Sequence, residues 1–206
     1  MKERPIIFSG EMVRTILEGR KTMTRRAIKE QPPVDGRAMP WIWDIDGKSP
    51  RYALGWRDDE DICCAAVCRY GQPGDRLWVQ ETWCYFPDNA PDGMGENTYY
   101  LASQKNLKEI ESVMRINKVQ WKPSIFMPRW ASRINLEITG IRVERLQEIP
   151  GKDCLREGIR NTIEGKLLLG SHLVYSFREI WDALNAKRGY PWESNPWVWV
   201  ISFKKL

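Results

Sequence analysis

One histidine among 206 residues, His172, leaves little room for imidazole chemistry. It falls early in an amphipathic stretch, Ser171 to Lys187, that reads as a helix. Ser-His-Asp and Cys-His arrangements are therefore set aside, and any general base is expected to be a lysine or a carboxylate. Cysteine is sparse and odd in number, five in all. With no signal peptide and no apolar run of membrane length, that usage predicts a reducing cytoplasm, no membrane partner and no disulfide framework. Cys63, Cys64 and Cys68 lie near one another, but C-C-x₃-C is not a zinc-ribbon spacing, so neither a metal nor another cofactor is expected. Internal repeats and low-complexity tracts are missing as well. Nothing in a chain of this length demands a second domain or an obligate protein partner.

The densest chemistry lies in Gly19-Arg20-Lys21-Thr22-Met23-Thr24-Arg25-Arg26, which gathers an amine, two hydroxyls and three guanidinium groups. Ser9 reads as an N-cap, and Met12, Val13, Ile16 and Leu17 form one apolar stripe. Gly19 suits the left-handed position that ends a helix, so residues 9 to 18 are expected to be helical. From Lys21 onward the β-branched threonines favour a strand. The cluster thus sits where a helix gives way to a strand. Residues three apart in a regular strand point to opposite faces, so Lys21 meets Thr24 only if it still lies in the turn after Gly19.

That segment has the form G-x-K-T-x-T-x-R. Four more pieces follow it in order: the turn and strand Tyr70-Gly71-Gln72-Pro73-Gly74-Asp75-Arg76-Leu77-Trp78-Val79, the strand Ile134 to Leu146, the segment Lys152-Asp153-Cys154-Leu155-Arg156-Glu157-Gly158, and the strand Trp197 to Lys204. Together they resemble the ASCH family, small domains with a PUA-like β-barrel, and in particular its longer members carried by phages and prophages. The resemblance implies an α+β fold over residues 1–206, with helices packed outside the barrel and insertions near 28–67 and 84–124. It also implies a partner made of RNA, single-stranded nucleic acid or a modified nucleoside. A small enzyme of the family removes the acyl group from N4-acetylcytidine with a lysine, a threonine and a glutamate, and the matching positions are Lys21, Thr24 and Glu157. Other members are regarded as RNA- or DNA-binding domains, and some are linked to RNA cleavage. An amidohydrolase, a non-enzymatic binding module and a ribonuclease therefore all stay open.

Charge and aromatic content agree with such partners. Lys and Arg number 32 against 27 Asp and Glu, a net charge of +5 that biases the chain mildly toward phosphate. Arg20, Arg25 and Arg26 are placed for that role. Eleven tryptophans are unusual. Core packing accounts for most of them, while Trp beside a cation is also how proteins stack unpaired bases. Lys122, Ser124, Arg129 and Trp130 occupy such a segment, Lys122 to Arg133, where two prolines are expected to set extended backbone.

Two carboxylates stand out by position. In the expected strand Arg76 to Trp83, Leu77, Val79, Glu81 and Trp83 share one face, so an inward face carries Glu81 into the core or a pocket, where it needs a partner such as Lys21, a signature arginine, a base edge or a simple ion pair. Glu157 closes a short helix just before Gly158, where the helix dipole disfavours a carboxylate. Glu18 precedes Gly19 in the same way without any assigned role. The helix Ser171 to Lys187 places Leu173, Val174, Phe177, Ile180, Trp181 and Leu184 on one stripe, read as core packing. Trp197 to Phe203 reads as a strand buried on both faces, suited to closing a small barrel.

Overall fold

The computed structural model of the chain describes residues 1–31, 37–43, 51–57, 62–86, 98–105, 107–160, 162–163, 166–167 and 169–206. Strand β1 (Glu3–Ile7) leads into helix α1 (Gly10–Leu17) and strand β2 (Met23–Ala27). Strands β3 (Arg37–Trp43), β4 (Arg51–Arg57) and β5 (Ile62–Val67) follow, then β6 (Arg76–Gln80), β7 (Trp83–Tyr85), β8 (Thr98–Tyr100) and helix α2 (Leu107–Ile116). Strand β9 (Asn135–Arg145) precedes helix α3 (Gly151–Arg156) and the short strands β10 (Thr162–Ile163) and β11 (Lys166–Leu167). Helix α4 (Gly170–Asn185) and strand β12 (Trp197–Lys205) complete the order.

Ser9 caps α1 as its residue type predicts, its hydroxyl accepting from the Met12 amide at 3.4 Å. The apolar stripe turns Val13 and Ile16 fully inward. Gly19, at φ 74°, ends the helix in the left-handed region and turns the chain toward β2. Five strands then form one mixed sheet in the order β1-β6-β9-β12-β2. Only β1 and β6 are parallel, with Glu3 opposite Arg76 and Ile7 opposite Gln80.

β12 lies between β9 and β2, and both of its faces are covered. Trp199, Ile201 and Phe203 pack with Ile6, Phe8, Val13, Ile16 and Leu136 on one side. Val198 and Val200 pack on the other with Met23, Cys154, Phe177 and Trp181 beneath α3 and α4. The near-continuous apolar run of β12 is the sequence expression of that double burial.

The fold is α+β, but the sheet does not close into a barrel among the described residues. β1 and β2 are its two edges, and no strand joins them. The amide of Arg76 donates to the Lys2 carbonyl and that of Phe8 to the Gln80 carbonyl, so the backbone groups of Glu3, Pro5 and Ile7 face the free edge. Pro5 has no N–H to offer there, as befits an edge position. A side chain bridges the edges instead, Arg26 Nη2 donating to the Ile7 carbonyl at 2.6 Å.

Residues 28–67, which show little period in sequence, contain a three-stranded antiparallel sheet, β3-β4-β5. Pro40 disguises β3, which tolerates it as an edge strand. The acidic run Asp58-Asp59-Glu60-Asp61, the loop Pro87 to Gly95 and the side chains of Trp41, Trp43, Trp56, Cys63 and Cys64 lie outside the described residues. The strand expected over Arg76 to Trp83 ends at Gln80, and Trp83 begins β7, which pairs with β8. Pro123 and Pro128 have the expected extended backbone, at ψ 147° and 163°, but each leads into a 3-10 turn, Ser124–Phe126 and Arg129–Ala131. No helix among the described residues is long and apolar enough to cross a membrane.

Candidate functional site

Lys21 stands two residues before β2, still in the turn after Gly19, which is the placement the alternation argument requires. The amides of Arg20 and Lys21 both donate to the Thr15 carbonyl, at 2.9 and 3.0 Å, and fold this turn onto α1. The Lys21 side chain is wholly buried. Its Nζ donates to the Glu157 carbonyl at 2.8 Å and to Glu157 Oε2 at 2.6 Å. Burial pushes the amine below the ordinary lysine range, against the opposing pull of the Glu157 carboxylate.

Glu157 reaches that position because α3 stops abruptly. Gly158 follows it at φ 97°, and a Cβ there would lie 2.9 Å from Thr15 Oγ1 and 3.4 Å from Lys21 Cβ. Only glycine lets the end of α3 rest on α1 and on the lysine turn together. Glu18, in the equivalent place before Gly19, is half exposed and pairs with Arg20. Contact with a buried amine, not position on the helix, separates the two glutamates.

The second oxygen of Glu157 accepts from Arg25 Nη1 at 3.2 Å. Arg25 is also wholly buried; it bonds Glu144 Oε1 through Nε at 2.8 Å and Asp153 Oδ2 through Nη2 at 3.1 Å. Arg142 closes the network by donating to Glu144 Oε2 at 3.0 Å and to Asp153. Lys21, Arg25 and Arg142 thus balance Glu144, Asp153 and Glu157, and every member has a partner, the condition under which buried charge is tolerated. Burial opposes the Arg25 charge, but Glu157 and Glu144 more than offset it and hold the guanidinium above its usual range. Burial likewise works against Asp153, yet Arg25 and Arg142 hold its carboxyl below the usual range.

Thr24 lies opposite Ile201 and so faces the other side of the sheet from Arg25. Its side chain is 2% exposed, and its hydroxyl has no hydrogen-bond partner among the described residues. It lines a cavity of about 490 Å³ between the β1 and β2 edges, with Ile6, Arg26, Glu157, Phe177 and Trp181. Lys21 is not on that wall; it stands behind Glu157. The amine therefore does not open into the cavity beside Thr24, as the mechanism in its simplest form would have it. Glu157 presents the pair to the interior.

The remaining candidates divide into two groups. Arg26 is on the cavity wall, its guanidinium 5.0 Å from the Phe8 ring. Arg20 is not: it donates to the Gly158 carbonyl at 2.7 Å and pairs with Glu18, bracing the end of α3. None of Glu81, Trp83, Lys122, Ser124, Arg129 and Trp130 lines the cavity. Glu81 is buried as its strand face predicts, but its partner is Arg133, held by two bonds of 2.9 and 3.0 Å, and not Lys21 or a signature arginine. Trp130, 65% exposed, packs edge-on against buried Trp83, and Lys122 Nζ lies 5.0 Å from the Trp83 ring. Arg129 pairs with Glu3 and Asn135. Ser124 opens the 3-10 turn next to them. Gln80 connects the regions, lining the cavity while its amide donates to the Met127 carbonyl at 3.0 Å.

Sequence reasoning missed several wall residues. Ile180 and Leu184, placed in the core by helical period, are 41% and 38% exposed and line the cavity with Phe177 and Trp181. Period identifies the inward stripe of α4 without saying that part of it faces an opening. Arg69, Tyr70 and Arg188 carry no local signal at all, since only the tertiary fold brings them to the same wall. No family model, curated protein or solved structure matches this chain.

Proposed function

We propose that this chain is an ASCH-like, PUA-related protein whose cavity receives a modified nucleoside or a nucleotide of a nucleic acid, and that it acts as an amidohydrolase on an N4-acylated cytidine. One observation carries the reading: an unpartnered Thr24 hydroxyl shares a cavity with Glu157, whose carboxylate is held by buried Lys21 and Arg25. A volume of about 490 Å³ suits a nucleoside. Phe177 and Trp181 supply apolar surface for a base.

In this reading Thr24 Oγ attacks the acyl carbonyl, and its proton passes to the Lys21–Glu157 pair. The amide C–N bond breaks as Glu157 protonates the exocyclic nitrogen, leaving an ester on Thr24 that water hydrolyses to free carboxylate. Lys21 works through Glu157; burial lowers the cost of its losing a proton. Arg25 fixes the carboxylate from the other side.

A binding module that does no chemistry is favoured by a separate observation, the exposed Trp130 and Phe126, with Lys122 over the Trp83 ring against which Trp130 packs. Unpaired bases stack on such surfaces. Incubation with a panel of N4-acylated cytidines and a labelled RNA, followed by mass spectrometry, tests the two. Deacylation lost in Thr24→Val supports the enzyme. A folded protein that releases no acyl group from any panel member, yet holds the RNA with steep salt dependence, sinks the enzyme and leaves the module.

A further inference from the structure

Five arginines line the cavity: Arg4, Arg25, Arg26, Arg69 and Arg188. Two are neutralised in place. Arg4 pairs with Asp75 at 2.9 Å, and Arg25 is enclosed by Glu144, Asp153 and Glu157. The other three have no carboxylate partner among the described residues. Arg26 spends one nitrogen on the Ile7 carbonyl, while its Nε is buried without an acceptor. Arg69 donates to the Tyr70 hydroxyl at 3.0 Å and lies over its ring. Arg188, in the 3-10 turn after α4, is exposed on the cavity wall. The one carboxylate on that wall, Glu157, is already shared by Lys21 and Arg25.

Three guanidiniums with no carboxylate partner among the described residues line one small cavity, where like charges repel. Burial lowers the affinity of Arg26 for its proton; Tyr70 and Glu157 work against that effect and Arg69 and Arg188 add to it, so the three arginines lie within electrostatic reach of one another. Planar forks with several donors match the oxygens of a phosphate group. A carboxylate, with one charge and two oxygens, balances such a trio less well than a phosphate monoester with nearly two charges.

We infer that Arg26, Arg69 and Arg188 form a phosphate subsite, so that the ligand of the cavity is a phosphorylated nucleotide and not a free nucleoside. The inference rests on the reading of the cavity as a nucleoside site and adds to it the chemical class of the substrate. The phosphate is either the monoester of a free nucleotide or a diester in a strand; both present oxygens that match guanidinium forks, and the monoester, with the larger charge, balances the trio better.

The test is isothermal titration of the whole chain at low ionic strength with cytidine, cytidine 5′-monophosphate and a short oligocytidylate. At least one phosphorylated ligand is expected to bind about tenfold or more tightly than cytidine. Arg188→Ala should erase that advantage and Arg188→Lys should keep part of it; both changes are at an exposed position and leave the core untouched. Preference for the monophosphate over the oligomer assigns the monoester, and the reverse assigns the strand. Equal affinity for cytidine and both phosphorylated ligands, no binding of either phosphorylated ligand, or an advantage that survives Arg188→Ala overturns the subsite. The hydrolase reading fails separately: a phosphate advantage that depends on Arg188, with no deacylation of N4-acetylcytidine or its monophosphate, removes the chemistry and leaves the subsite standing.

Discussion

Replacing Lys21 by methionine keeps the length and apolar stem of the side chain and removes only the amine. The structure sets the cost. The Glu157 carbonyl loses a bond of 2.8 Å and Oε2 one of 2.6 Å. A charge-assisted bond contributes about 1.5–3 kcal/mol, and an orphaned buried carbonyl costs about 1–3 kcal/mol. Breaking a buried ion pair from one side typically costs about 3–5 kcal/mol. Arg25 still holds the other oxygen of Glu157, so the lower end of that range, about 3 kcal/mol, is expected. For a chain of this size that corresponds to a fall in Tm of roughly 6–12 °C. Glu157→Gln added to Lys21→Met removes the stranded charge and should recover roughly 1–2 kcal/mol, a coupling read from the double-mutant cycle by denaturant titration. Single changes that add without coupling, or a Lys21→Met variant within about 2 °C of the parent, would refute the buried pair. Circular dichroism of each variant confirms that the fold is retained.

Thr24→Ser should keep part of any deacylase turnover and Thr24→Val none, while Val, which keeps shape and β-branching, should cost on the order of 1 kcal/mol or less in stability, because the buried hydroxyl has no partner to lose among the described residues. Turnover that persists in the Val variant eliminates Thr24 as nucleophile. Gly158→Ala forces a Cβ to within 2.9 Å of Thr15 Oγ1 at φ 97°, and about 1–3 kcal/mol of strain should appear as a lower Tm together with reduced turnover, since the shift moves Glu157. The carboxyls of Asp75 and Asp153 are held below the ordinary aspartate range despite burial, by bonds from the Lys2 amide and Arg4 in one case and from Arg25 and Arg142 in the other. Their folded pKa values are depressed, so their stabilisation is present above about pH 4 and is lost as pH falls through the folded values. Asp75→Asn should flatten that acid limb in a pH series of thermal melts, and an unchanged limb counts against the assignment.

Local signals in the sequence carried far where the physics is local. Ser9, the stripe through Val13 and Ile16, and Gly19 fix the ends and the buried face of α1 because caps and periodicity act within a turn or two. The double burial of β12 and the inward face of Glu81 also follow from pattern. Partner choice does not. Glu81 meets Arg133 and not Lys21, since alternation gives a face and says nothing of what stands across it. Arg25 looks like a phosphate ligand in a basic run, yet it is sealed among three carboxylates whose positions lie 119 to 132 residues away. The strands of residues 37–67 were hidden because Pro40 is read as a breaker unless the strand is known to be an edge. Arg69 and Arg188 had no signal, because convergence of distant side chains on one wall is a property of the fold alone.

The site joins segments that are far apart in sequence. Thr24 sits in a strand whose only ladder among the described residues is with β12, and its opposite number there is Ile201. Lys21 waits for Glu157 in the same way. In folding, then, the signature segment has no strand to pair with among the described residues until β12, the last strand in the order, is available. Loop closure of this span is entropically costly and comes late, so the Thr24 and Lys21–Glu157 site should be the last part assembled in folding, and refolding probes of that site should lag those that follow helix content.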